Sequence, residues 1–196
     1  MTTAHLPDVR RHILDVAHPL LLAKGFTAVG LAELLAAARV PKGSFYHYFA
    51  SKEAFGEAML ETYFDECHAK IDGLLGGSGT AAERLMAYFD DWLTSQTDEH
   101  AQSRCLVVKL GAEVSDLSEP MRAALDRGTR AVTARLAATL AAGAQDGSLP
   151  TLPDPAGTAT ALYQNWLGAS LLAKILRDRA PLDTAMAQTR TLLGLG

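Results

Sequence analysis

Apolar residues recur along this chain at intervals of three and four, and no segment alternates with period two, so the pattern predicts helices throughout. A first helix is expected from about Asp8 to Lys24, with Ile13, Val16, Ala17 and Leu20 on one face and Gly25 as its stop. Pro19 falls inside it, where a proline removes a hydrogen bond and should kink the chain. A short second helix, Leu31 to Ala38, has Leu31, Leu34, Leu35 and Ala38 to bury, and the tract from Arg39 to Gly43 breaks it. A third short helix carries Ser44 to Phe49, and Ser51 is placed to cap a long fourth reaching about Leu75. Thr80 and Glu83 have capping-box spacing and open a fifth, with Leu85, Phe89 and Trp92 on one face. A sixth is expected from Ser103 to near Val114 and a seventh capped by Ser118. An eighth should run from about Ala156 to Arg179, and a ninth, after Pro181, should end near Leu193. The predicted fold is all-α, with about nine helices.

The 196 residues are 48% hydrophobic, enough for one domain with a real core or two small ones. No apolar run approaches the roughly 18 residues of a membrane helix. Arg10, Arg11, His12 and Asp15 interrupt the only stretch that could serve as a signal peptide. With two cysteines, Cys67 and Cys105, there is no disulfide framework, so a cytoplasmic setting without a membrane partner is expected. The net charge of −4 conceals a split. Residues 1–52 hold six Lys/Arg against three acids and four of the six histidines, while residues 53–196 hold twelve Lys/Arg against nineteen acids. A basic head on an acidic body points to an anionic partner for the head.

Two short helices joined by a tight turn, after a longer one, form a helix-turn-helix candidate. Phe45 and Phe49, four apart, can pin the third helix to the first two. That leaves Lys42, Ser44, Tyr46, His47 and Tyr48 towards the outside, where hydroxyl, imidazole and ammonium groups can donate to phosphates. Lys52 would clamp the backbone from the flank. The pattern by itself is also compatible with a small aromatic core under a solvated lysine rim.

Gly25-Phe26-Thr27, Leu31-Ala32-Glu33-Leu34-Leu35, Val40 to Phe49 and Ser51-Lys52-Glu53-Ala54 resemble the TetR family of transcriptional repressors. The resemblance implies a DNA-binding domain over residues 1–52 and an effector-sensing and dimerisation domain over residues 53–196. It implies a homodimer on palindromic double-stranded operator DNA, with Thr27, Lys42, Gly43, Ser44, Tyr46, His47, Tyr48 and Lys52 towards the DNA. One departure is Val29-Gly30, where a polar cap usually precedes the second helix. The blocks Cys105 to Leu110, Ala112-Glu113-Val114, Asp116 to Glu119, Trp166 to Ala169 and Ala173-Lys174 resemble one branch of that family, the N-ethylmaleimide-reductase and acrylate-responsive repressors. Members of that branch respond to reactive electrophiles, oxidants or small unsaturated acids.

Cys67 stands among Asp65, Glu66 and His68, and nearby acids disfavour a thiolate. Cys105 is expected in the first turn of the sixth helix, capped by Ser103 and beside Arg104, where helix dipole and guanidinium both favour one. Arg104 is itself a departure from the glycine its relatives carry. Lys174, on an apolar stripe with Leu167, Ser170 and Leu171, is the candidate partner of Cys105 in the sensor. Phe89, Trp92, Tyr163 and Trp166 could line a pocket for a non-covalent apolar ligand. The family places the dimer interface on the last two helices. There Gly168, Ala169 and Ala173 allow close approach and Leu172, Leu192 and Leu193 supply apolar contact. No metal-ligand spacing, cofactor motif or nucleophile–base constellation is present, so no cofactor and no enzyme are expected. Three functions stay open: a repressor with a thiol sensor, a repressor with a non-covalent apolar effector, and a helical thiol enzyme.

Overall fold

The computed structural model describes residues 8–97 and 105–195. Among them are nine helices and no strand: α1 (Val9–Lys24), α2 (Leu31–Ala38), α3 (Lys42–Tyr48), α4 (Lys52–Leu75), α5 (Ala81–Thr97), α6 (Leu106–Leu117), α7 (Glu119–Asp146), α8 (Pro155–Leu176) and α9 (Ala180–Leu192). The expected capping box at α5 is formed. Thr80 donates its N–H to Glu83 at 2.8 Å, and its hydroxyl oxygen accepts from the Glu83 N–H at 3.3 Å. No described helix is long and apolar enough to cross a membrane.

Contacts divide the chain into two compact units. The first comprises the described parts of Met1–Tyr63 and His100–Leu125; the second, those of Phe64–Glu99 and Asp126–Gly196. In the first, α1 packs against α2, α3 and α6. Ile13, Leu14, Ala17 and Leu21 of α1 are buried there with Phe26, Leu34 and Phe45. A cluster of Phe45, Phe49 and Phe55, ring centroids 5.2 to 5.6 Å apart, fastens α3 to the start of α4. α4 passes close to α7 at Gly56, where a β-carbon would collide with the Met121 sulfur. Pro19 stays within α1. The carbonyl it leaves without an amide belongs to the exposed Asp15, where water can serve it, but nothing in the structure explains the proline's presence.

In the second unit, α9 packs against α8 and α5. Its core joins Leu85, Phe89, Leu136, Leu162, Trp166, Leu182 and Leu193. α4 and α7 are tied by Arg135, which donates to both oxygens of Asp72 at 2.7 and 3.0 Å and lowers that carboxyl's pKa through the hydrogen bonds.

Several boundaries differ from expectation: α3 spans Lys42–Tyr48, not Ser44 to Phe49, and α6 runs on to Leu117, past Val114. α6 begins at Leu106 with Cys105 as its N-cap, so the thiol precedes the first turn; Ser103 and Arg104 lie outside the described residues. α8 stops at Leu176, because Arg177 turns left-handed (φ 53°) and gives its N–H to Ala173 O. Pro181 falls in the first turn of α9, where a missing N–H costs nothing, and does not precede the helix.

Candidate nucleic-acid interface and sensor

The head owes its shape to a division of the aromatic run. Phe45 and Phe49 are buried, while Tyr46 is 48% and Tyr48 38% exposed, with Lys42, Gly43 and His47 exposed beside them. Ser44 is half-buried, and Thr27 is exposed on the turn between α1 and α2. Lys42 Nζ lies 5.7 Å from the Tyr46 ring centroid, so ammonium and phenol share one exposed patch. Neither α2 (N-cap Gly30) nor α3 (N-cap Pro41) has a side-chain cap. The first N–H groups of both helices are therefore free of side-chain capping, and a helix N-terminus is suited to phosphate.

Lys52 is less free than its position in the sequence suggests. It is half-buried, donates to Phe26 O at 2.9 Å and lies 4.8 Å from that ring's centroid. An ammonium has three donors, so the tie leaves capacity for a phosphate. Lys52→Ala should weaken binding to all DNA sequences and reduce the slope of log affinity against log salt by about one. A loss of affinity with an unchanged slope, read by titration at several salt concentrations, would assign Lys52 to holding the turn alone.

The same turn is held from α6. Glu113 accepts from Phe26 N at 3.1 Å and Thr27 N at 2.6 Å, and Lys109 donates to Ala23 O at 3.3 Å. Nothing in the sequence announces this contact. The four-residue spacing of Lys109 and Glu113 marks a shared face, but nothing in it says what that face meets.

At the other end of α6, Cys105 is half-buried, and the Tyr63 hydroxyl lies 3.7 Å from its sulfur. Burial pushes this thiol's pKa up. The amides of Val107 and Val108 and the Tyr63 hydroxyl pull the other way without overcoming it. The expected thiolate is thus corrected: the resting group is a neutral thiol, because desolvation outweighs the helix N-terminus. Cys105 belongs to the first unit, whereas Lys174 is exposed on α8 in the second. Cys67 packs against the second unit's core.

Phe89, Trp92, Tyr163 and Trp166 do come together, but as packed core. Phe89 stacks on Trp166 at 5.2 Å, and Trp92 meets Tyr163 edge-on at 5.6 Å. The indole N–H groups are satisfied internally, Trp92 by Ser170 and Trp166 by Thr189, each at 3.0 Å.

The candidate interface residues divide. Gly168, Leu172 and Leu192 are exposed and Ala173 half-buried, but Leu193 is fully buried and Ala169 nearly so. These two face their own unit's core, a correction to the expected contact surface. Leu171, Ile175 and Leu176 extend the exposed apolar face, the last two at 65% and 61%. Among the described residues no group of His, Cys and acidic side chains could hold a metal.

Comparison with known proteins agrees with this architecture. Residues 13–59 match the family of bacterial regulatory proteins of the tetR family, and residues 81–189 match the tetracyclin repressor-like C-terminal domain. The chain is 46% identical to the HTH-type transcriptional repressor NemR of Escherichia coli, over 95% of this chain and 94% of that one. It is 39% identical to the transcriptional regulator AcuR of Cereibacter sphaeroides, over 84% and 75%. The crystal structure of reduced E. coli NemR superposes with a TM-score of 0.90 at 47% identity, covering 95% of this chain and 97% of that one. Regulators of this family bind operator DNA as dimers and are not enzymes. On both its head and its body, the chain is a member of the TetR family of transcriptional regulators.

Proposed function

We propose that the protein is a cytoplasmic repressor that binds a palindromic operator as a two-fold dimer and leaves it when a reactive electrophile or oxidant modifies Cys105. In this reading residues 1–52 bind DNA and residues 53–196 sense and dimerise. Two-fold symmetry matches two recognition helices to half-sites about 34–36 Å apart. The observation that carries the sensor is the place of Cys105: it caps α6, the helix whose Lys109 and Glu113 hold the turn of the DNA-binding head. Addition of the sulfur to an unsaturated carbonyl forms an S–C bond at the β-carbon, and a proton is taken up at the α-carbon. The adduct adds bulk where the helix begins, in a half-buried place, and favours an α6 position unsuited to the bound head. A shift of about 1–3 kcal/mol is enough to matter.

The test is operator binding before and after N-ethylmaleimide or hypochlorite, with peptide mapping of both cysteines. Wild type should be released and Cys105→Ser should stay bound. Release of Cys105→Ser, or adducts on Cys67 alone, would remove the sensor assignment. Lys174 is the second residue of this proposal; Lys174→Ala responding normally while Cys105 still reacts would remove it. Because the raised pKa keeps the resting thiol protonated, the alkylation rate of Cys105 should go on rising with pH beyond the ordinary thiol value of about 8.5. A rate already level at neutral pH would mean a resting thiolate. The packed aromatic cluster gives the non-covalent reading less support, since a ligand there would have to part rings already in contact.

A further inference from the structure

The turn between α1 and α2 carries Thr27, an expected DNA contact, yet α2 begins without a side-chain cap and the turn makes few bonds of its own. Its order comes from α6. Two consecutive amides, Phe26 N and Thr27 N, point at one carboxylate, that of Glu113, at 3.1 and 2.6 Å. Consecutive amides of this kind make a concave anion site. One helical turn back on α6, the Lys109 ammonium meets Ala23 O at 3.3 Å, near the C-terminal end of α1, where helix carbonyls lack partners and a cation is favoured. Each charge of α6 therefore meets the complementary backbone dipole, anion on amides and cation on carbonyl.

Two further observations belong to the same contact. Gly25 has φ 91°, a conformation that side chains oppose, and a β-carbon there would lie 2.9 Å from Glu113 Oε2. The chain thus leaves open the space that the carboxylate uses. Partial burial works to raise the carboxyl of Glu113, but hydrogen bonds from the Thr27 hydroxyl, the Thr27 amide and the Phe26 amide, with help from Lys109, hold it below the usual carboxylate range, so it is ionised at neutral pH.

We infer that Glu113, supported by Lys109, is a positioning residue for DNA binding: its carboxylate fixes the backbone of Phe26 and Thr27 and so sets the angle at which Thr27 is offered to the operator. Glu113 touches no DNA in this scheme. It rests on the family's DNA binding and on the Thr27 contact, and is independent of the thiol sensor.

The experiment is a double-mutant cycle on operator affinity with Thr27→Ala and Glu113→Ala in the full-length chain, alongside dimer state and thermal midpoint. Glu113→Ala should weaken binding about tenfold with its dimer state and melting temperature close to wild type, as charge-assisted bonds to a turn allow. Glu113→Gln, which keeps one accepting oxygen, should lose about threefold. Thr27→Ala should cost clearly less in the Glu113→Ala background than in wild type, the non-additivity expected of coupled sites. Full additivity of the two substitutions would overturn the proposal, as would wild-type affinity in Glu113→Ala. A loss of affinity that follows a loss of thermal stability would make Glu113 a fold residue and also overturn it. If Thr27→Ala alone changes nothing, the Thr27 contact falls, and the positioning role with it.

Discussion

Leu172→Glu is expected to be a folded monomer that no longer binds the operator. Leu172 is 49% exposed on the last turns of α8, in an apolar face that also holds Ile175 and Leu176. In a two-fold interface one substitution appears twice, and each carboxylate taken out of water unpaired costs on the order of several kcal/mol. The monomer also loses the gain of engaging two half-sites at once, about 10²–10⁴ in affinity. Light scattering and operator titration read both effects. The contrast is Leu193→Glu, which should unfold the second unit, because Leu193 is fully buried. A Leu172→Glu protein that stays dimeric and DNA-competent would move the interface off this face.

Trp166→Ala should lower stability strongly while leaving the chain folded. Trp166 is fully buried, stacks on Phe89 at 5.2 Å and donates its indole N–H to Thr189 at 3.0 Å. Removing a packed aromatic of this kind costs about 3–5 kcal/mol. In a chain of this length each kcal/mol moves the midpoint by about 2–4 °C, so a fall of roughly 10 °C is expected by calorimetry. The freed Thr189 hydroxyl still donates to Ala185 O at 2.8 Å, so the loss is one of packing more than of an orphaned polar group. A small aromatic such as benzene should recover part of the loss by filling the cavity. A fall of less than about 2 °C would mean that the cluster is loosely filled and can admit a ligand.

Much of the architecture could be read locally. Helix existence follows from apolar spacing and capping chemistry, and both are properties of adjacent residues. α2 therefore falls at Leu31–Ala38 as expected, and Thr80 and Glu83 cap as their spacing requires. The division of the aromatic run into buried Phe45 of α3 and Phe49 at its C-cap, and exposed Tyr46, His47 and Tyr48, is equally local, because residues four apart share a face. Tertiary structure decided what no spacing encodes, namely which group stands next to which. The sequence neighbourhood of Cys105 favours a thiolate, but burial beside Tyr63, 42 residues away, makes it a neutral thiol. Lys52 carries a charge suited to phosphate, yet its partner is the carbonyl of Phe26, 26 residues earlier. For Glu113 the sequence offers only its four-residue spacing from Lys109, since its role depends on two amides 86 and 87 residues away. Pattern along a chain determines which face of a helix is apolar; the desolvation and hydrogen-bond partners of one polar group depend on chain packing, and they set what that group can do.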